Sequence, residues 1–315
     1  MLCKLALVFS LSLTGCASTN AFNVADVDYF QPPIVTSVAP ERPLNDFSLY
    51  NNTVGAGLSP MAAIVPSFNG QGNLIASWNP HPAGLKNRPT FVLVHGGHGL
   101  NPTDLATAIW ARRELGANTL VLDSYWSRGR QENWETRNRF GANMRMLDAI
   151  AAGRWLQAQG VDKDKIFLMG GSQGGWTVLR TFTDEKFITE NAKPIFRGGI
   201  SLYPVCQSKG YRDDPTLGPY WGPVIVFTGG NDSATPISQC PSSVFKQSVS
   251  WVHYPDATHA WDAANRGAAN PAVDGDCGRA KNVYNRFAVC RSDSTTFDMQ
   301  AKIKKFVNET LNGKN

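Results

Sequence analysis

The sequence predicts an α/β fold, with a mostly parallel central sheet covered by helices on both faces. Three observations predict it: short apolar runs recur from residue 90 onward, helical segments alternate with them, and the runs lack a polar face. Strands that read as continuous apolar runs are buried on both sides, as in sheets with crossover helices. The runs are Thr90–Val94, Asn118–Leu122, Lys165–Met169, Gly199–Tyr203, Val224–Thr228 and Ser250–Tyr254. Helical character spans Pro102 to Leu115, where Asn101 can act as N-cap and Pro102 takes the first helical position. From Met144 to Gln159, apolar residues fall mostly three or four apart on one helical face. Trp176 to Phe182 is a third helical run, and Phe297 to Leu311 an amphipathic closing helix. Ahead of the parallel part, Phe47–Tyr50, Ala62–Val65 and Leu74–Trp78 read as antiparallel edge strands.

Of 315 residues, 42% are hydrophobic and 17% charged, which excludes a disordered or fibrous chain. The formal charge of +5 is not clustered. Its densest run, Lys302, Lys304 and Lys305, reads as a solvated helix face, so nucleic acid is not an expected partner. Lys4 followed by Leu5 to Leu13 gives a short basic segment and an apolar stretch too short to cross a bilayer of ~30 Å. It ends in Leu13-Thr14-Gly15-Cys16, which resembles the lipobox of bacterial lipoproteins. That resemblance implies a signal peptide over 1–15, lipid attachment and a membrane tether at Cys16, and, from Ala17, sorting to the outer membrane. An ordinary soluble secreted protein is the alternative. Residues 16–45 hold Pro32, Pro33, Pro40 and Pro43 among polar residues and form a tether or extended segment. Residues 46–315 form a single domain. Once Cys3 and Cys16 are set aside, Cys206, Cys240, Cys277 and Cys290 remain, an even set that in an exported chain implies disulfides. The local pair Cys277–Cys290 is favoured, and therefore Cys206–Cys240.

Catalytic groups in parallel sheets sit beyond the carboxyl ends of the strands. After Ile166–Met169 comes Gly170-Gly171-Ser172-Gln173-Gly174-Gly175, a G-x-S-x-G turn between a strand and a helix. The glycines suit a tight turn that exposes a nucleophilic serine. The backbone amide of Gln173, near the positive end of the following helix, would face a developing oxyanion. A serine hydroxyl needs a base. His259 lies in a loop after the strand ending at Tyr254, 87 residues beyond Ser172. His253 lies within that strand, and His81 precedes the parallel part. The acid belongs between serine and base, and Asp232 follows Val224–Thr228 in a Gly229-Gly230-Asn231 turn. Asp256 and Asp262 are its rivals, with turn capping as their plainer role. A second oxyanion donor is expected from His95-Gly96-Gly97-His98-Gly99, with Gly97 assigned and His98 as the alternative. No Cys-x-x-Cys occurs, and His95 and His98 have no carboxylate at ligand spacing, so no metal is expected.

Over residues 88–262 the chain resembles the dienelactone hydrolase family of α/β-hydrolases. The resemblance rests on the two glycine loops, on Leu122-Asp123-Ser124-Tyr125-Trp126-Ser127-Arg128-Gly129, on Gly230-Asn231-Asp232 with Pro236, and on Tyr254-Pro255-Asp256-Ala257-Thr258-His259. It implies an α/β-hydrolase fold and carboxylic-ester hydrolysis through an acyl-enzyme, without cofactor. Two departures stand against carrying the substrate over: the best-known family member uses a cysteine nucleophile, and residues 262–292 are inserted here. That insertion is either a disulfide-bearing rim of the site or a distant surface loop. Tyr125, Trp126, Trp176 and Trp261 neighbour the motifs and are candidate pocket walls together with His98. Two other readings stay open. One is a peptidase of the prolyl-oligopeptidase type, for whose propeller the chain has no room. The other is a non-catalytic envelope lipoprotein.

Overall fold

The computed structural model describes residues 61–70, 72–125, 128, 140–206, 217–245, 249–263, 277–279 and 288–313. The signal and tether, Cys16, the Phe47–Tyr50 strand, Trp126 and most of the 262–292 insertion lie outside these residues.

Among the described residues the chain builds an eight-stranded sheet ordered β1-β2-β4-β3-β5-β6-β7-β8. The strands are β1 (Met61–Pro66), β2 (Asn73–Asn79), β3 (Thr90–Val94), β4 (Asn118–Asp123), β5 (Ile166–Gly171), β6 (Gly198–Leu202), β7 (Val224–Gly229) and β8 (Val249–Tyr254). β1 and β2 are antiparallel to their neighbours, and all later pairings are parallel. The apolar runs therefore correspond to strands within two residues at each end.

The period of two in a strand splits the core into two layers. Val92 and Val94, Ile166 and Leu168, and Val224 and Val226 face one side. There they meet α2 (Ala142–Ala158), α3 (Gln173–Phe182) and α4 (Lys186–Ala192). Phe91 and Leu93, Phe167 and Met169, and Ile225 and Phe227 face the other side, against α1 (Pro102–Leu115) and α5 (Asp293–Leu311). Helix α1 begins with a capping box in which Asn101 Oδ1 accepts from the Thr103 amide at 2.8 Å and Asp104 accepts from the Asn101 amide at 2.9 Å. Helix α5 starts four residues earlier than the periodicity suggests, because the Ser292 hydroxyl caps it by accepting from the Thr295 amide. Helix α4 was not expected. It has only 7 residues and no side-chain cap.

The disulfide Cys206–Cys240 is present. The insertion contributes a small antiparallel ladder of β9 (Cys277–Arg279) and β10 (Ala288–Cys290), in which Cys290 pairs in register with Cys277.

Helix α2 is buried along most of its length, and it carries Arg145 and Asp148 into the interior. Asp148 accepts two hydrogen bonds from Arg128, at 2.9 and 2.7 Å. Arg128 also donates to the Ser124 carbonyl at 2.9 Å, which ties the segment after β4 to α2. Removing one partner of a buried pair strands the other charge, at a cost of about 3–5 kcal/mol. Asp148→Ala should therefore lower the urea midpoint of unfolding by the equivalent of about 3–5 kcal/mol. The double replacement Arg128→Met with Asp148→Leu should recover much of that loss. Equal losses in the single and double variants would contradict the assignment.

Candidate active site

The turn after β5 sets the geometry. Ser172 has φ 56 and ψ −117, a strained backbone for a residue with a side chain. Its position is fixed on both sides: its amide donates to Leu202 O at 2.9 Å, and its carbonyl accepts from the Trp176 and Val205 amides at 3.0 and 3.1 Å. Gly174 shows why a side chain is excluded here, since a Cβ would lie 2.2 Å from Val94 O and 2.9 Å from His95 O. The first turn of α3 can press onto the end of β3 only without one. Helix α3 accordingly begins at Gln173, three residues before its apolar run.

Three strand ends bring side chains together. His259 Nε2 lies 3.1 Å from Ser172 Oγ, and its Nδ1 lies 2.8 Å from Asp232 Oδ2. Asp232 Oδ1 accepts from the Ala234 and Thr235 amides at 2.9 and 2.8 Å, and Oδ2 accepts from Thr235 Oγ1 at 2.7 Å. Burial alone would raise the Asp232 pKa, but the neighbouring His259 and these hydrogen bonds outweigh it and hold the carboxyl below its usual range. An ionised Asp232 can only accept, so Nδ1 of His259 carries the proton and Nε2 is left to accept from the serine hydroxyl. Gly230 lets the two loops approach: a Cβ there would lie 2.2 Å from Pro255 O, and the next amide, of Asn231, donates to Ala257 O at 3.0 Å. Of the rivals for the acid, Asp256 is exposed, with its carbonyl oxygen accepting from Asn231, and Asp262 accepts from Tyr203 Oη at 2.7 Å. Neither has a hydrogen bond to His259 among the described residues.

The loop after β3 packs against the serine. A Cβ on Gly96 would lie 3.6 Å from that of Ser172, and Gly97 and His98 line the same cavity as Ser172. His95 is wholly buried and has a structural part that the sequence did not reveal. Its Nε2 accepts from the Ser124 amide at 3.2 Å, so its Nδ1 carries the proton and donates to Gly96 O at 2.7 Å. Burial and the adjacent Arg145 push its pKa well below the ordinary value, which keeps the ring neutral. Arg145 donates to the His95 carbonyl. Tyr125 packs edge-on against His95, and its hydroxyl donates to Gln173 Oε1 at 2.6 Å. Gln173 Nε2 in turn donates to Phe140 O at 2.9 Å. The two loops expected to supply oxyanion donors are thus clamped by one buried network. Its Arg145, on α2, is separated from both motifs in sequence, which is why no local signal marked it.

The cavity beside Ser172 and His259 measures about 270 Å³ and includes Asp104, Tyr203, Asp262 and Val289 in its lining. Val289 belongs to β10, so the returning arm of the insertion forms part of the wall. The neighbouring Cys290 amide docks it onto the histidine loop by donating to Thr258 Oγ1 at 2.7 Å. Tyr125, Trp176 and Trp261 do not form the pocket wall expected of them. All three are fully buried and pack in the core, where large aromatic surface gains most from leaving water. His98 does line the cavity.

Residues 104–239 match the family model described as the prolyl oligopeptidase family. A search of curated proteins finds no match. Among solved structures, the chain is similar to a dienelactone hydrolase from Klebsiella pneumoniae, with TM-score 0.60 and 14% identity over 80% of this chain and 99% of that one. It is also similar to Thermogutta terrifontis esterase 2, with TM-score 0.53 and 17% identity over 79% and 94% of the two chains. A dienelactone hydrolase-like promiscuous phosphotriesterase from metagenomic libraries gives TM-score 0.53 and 15% identity over 80% and 98%. The fold is that of the α/β-hydrolases.

The depressed pKa of Asp232 has a consequence for stability. A carboxyl whose folded pKa lies below its unfolded value of about 3.9 stabilises the fold above that pH, and the contribution disappears as pH falls through the folded value. The difference in urea midpoint between the unaltered protein and Asp232→Asn should therefore stay level from pH 6 to about pH 5 and then narrow toward pH 3. A constant difference would mean that the carboxylate is not held in its charged form.

Proposed function

We propose that this α/β-hydrolase-fold protein is a serine hydrolase that cleaves carboxylic esters through an acyl-enzyme. One observation carries the reading: the hydrogen-bonded series from Ser172 Oγ through the His259 ring to Asp232, lying in the wall of a cavity. In the proposed reaction Ser172 Oγ attacks the ester carbonyl carbon while His259 Nε2 takes its proton. Asp232 keeps the ring in the required tautomer and stabilises the imidazolium. The carbonyl oxygen, now negative, is received by the backbone amides of Gly97 and Gln173, each such donor lowering the barrier by ~3 kcal/mol. His259 then protonates the departing alcohol. A water activated by the same ring releases the carboxylic acid and restores Ser172.

Two findings favour esters over peptides. Structural neighbours named as dienelactone hydrolase and esterase are covered over 99% and 94% of their own lengths. The domain also holds its cavity within its own elements. The family match over 104–239 favours a second reading, a serine peptidase of the prolyl-oligopeptidase type. The Leu-x-Gly-Cys sequence supports attachment to the bacterial envelope by a lipid on Cys16, which would bring the site to small or polymeric esters outside the cytoplasm.

Ser172→Ala should lower kcat/KM for p-nitrophenyl butanoate by at least ~10⁴-fold with little change in the unfolding midpoint. Full activity in that variant would remove the proposal. Faster turnover of peptide p-nitroanilides than of any ester would favour the peptidase, and failure of a fluorophosphonate to label the protein would favour a non-catalytic lipoprotein. In a Gram-negative host, Cys16→Ala should move the protein from the membrane fraction to the soluble fraction; an unchanged distribution would rule out the tether.

A further inference from the structure

The cavity beside Ser172 contains two carboxylates that the reaction above does not use. Asp104 reaches it from the first turn of α1, and Asp262 from the loop just after His259. Both retain accessible surface, and both line the cavity. Among the described residues no Lys or Arg lines it. Asp104 accepts from the Asn101 amide at 2.9 Å, and Asp262 accepts from Tyr203 Oη at 2.7 Å. Both of these partners are neutral. The cation acting on Asp104 is Arg145, whose guanidinium donates to the His95 carbonyl.

Carboxylates enclosed in a cavity wall that holds no cation of its own are costly to keep charged. Helix capping accounts for Asp104 only in part, because an asparagine would also accept from the Asn101 amide, and it accounts for Asp262 not at all. Two acids in the wall of one small cavity, beside a hydrogen-bonded serine and histidine, instead suit a ligand that brings the missing positive charge. Resting on the hydrolase reading above, we infer that the cavity selects esters carrying a cationic nitrogen close to the scissile carbonyl, held by Asp104 and Asp262.

This arrangement gives the selection a pH dependence. Asp104 is pushed up to about 7, first by burial and then by Asp262 and Asp123, while the Asn101 amide and Arg145 oppose the rise. Asp262 is raised by burial, against the Tyr203 hydroxyl, its own amide and His259. Above pH 7 Asp104 is mostly charged and the cavity attracts a cation; at pH 6 it is mostly neutral and the attraction weakens. Any effect of pH on the chemical step that both esters share divides out of their ratio.

The test uses matched esters that differ only by a quaternary nitrogen in place of a quaternary carbon. One pair places the charge on the acyl side: p-nitrophenyl 4-(trimethylammonio)butanoate and p-nitrophenyl 5,5-dimethylhexanoate. The other places it on the alcohol side: choline butanoate and 3,3-dimethylbutyl butanoate. In one of the two pairs the kcat/KM ratio of cationic to neutral ester should reach about 10 at pH 8 and fall toward 1 at pH 6. Asp104→Asn and Asp262→Asn, which retain acceptors for Asn101 and Tyr203, should each lower that ratio. Turnover of the neutral esters with a ratio at or below 1 in both pairs at pH 8 overturns the inference and leaves the hydrolase reading standing. A high ratio that neither substitution lowers also overturns it. No turnover of any ester, with no fluorophosphonate label on Ser172, removes both readings together. Should either variant fail to fold, the ratios of the unaltered protein decide the matter.

Discussion

The site depends on one steric constraint, the contact between the start of α3 and the end of β3. With Gly174 seated against Val94 O and His95 O, the chain must turn sharply at Ser172, whose φ of 56 is paid for by that packing. The turn does two things at once. It lifts the serine side chain off the end of β5 toward His259, and it aims the beginning of a helix, with its positive end, at the space where charge would develop. A longer or looser connection would separate these two effects.

Electrostatics divide the surroundings into a side that is kept neutral and a side that is kept negative. His95 is held uncharged by burial and Arg145, so it can act as a fixed bracket, accepting from one loop and donating to the other. Asp232 is held ionised by hydrogen bonds converging on both of its oxygens. Two histidines within one fold thus have different duties because their partners differ: an amide and a carbonyl for His95, a carboxylate and a hydroxyl for His259. Burial raises all three carboxyls, and it prevails at Asp104 and Asp262, since neither has such a set of donors.

Much of this was legible in the sequence. Strands β3 to β7 are buried along almost every residue, so their runs are visible without reference to anything distant, whereas β8 lies at the sheet edge with Ser250, Trp251 and His253 exposed. Ser172, Asp232 and His259 each follow such a run, and strand ends are where a parallel sheet gathers side chains. Boundaries shifted where capping outweighed periodicity, as at Ser292, and where the sharp turn itself forms the first turn of a helix, as at Gln173. The aromatic residues misled because adjacency in sequence to a motif does not fix the direction of a side chain: Trp176 follows the serine yet points into the layer beneath the sheet. Arg145, Asp148 and Tyr203 were not legible, since their parts depend on contacts between residues tens of positions apart. Asp104 was not singled out in the sequence, and its place in the cavity follows from the packing of α1 on the sheet.

The most direct test of the account is to trap the covalent intermediate. The protein is mixed with a p-nitrophenyl ester, quenched in acid within the first turnover, and digested for mass spectrometry. The account predicts a burst of p-nitrophenol of about one equivalent and an acyl group on the peptide containing Ser172, absent when His259 is replaced by alanine. Release of p-nitrophenol with no burst and no acyl group at Ser172, or an acyl group on another residue that persists without His259, would contradict it.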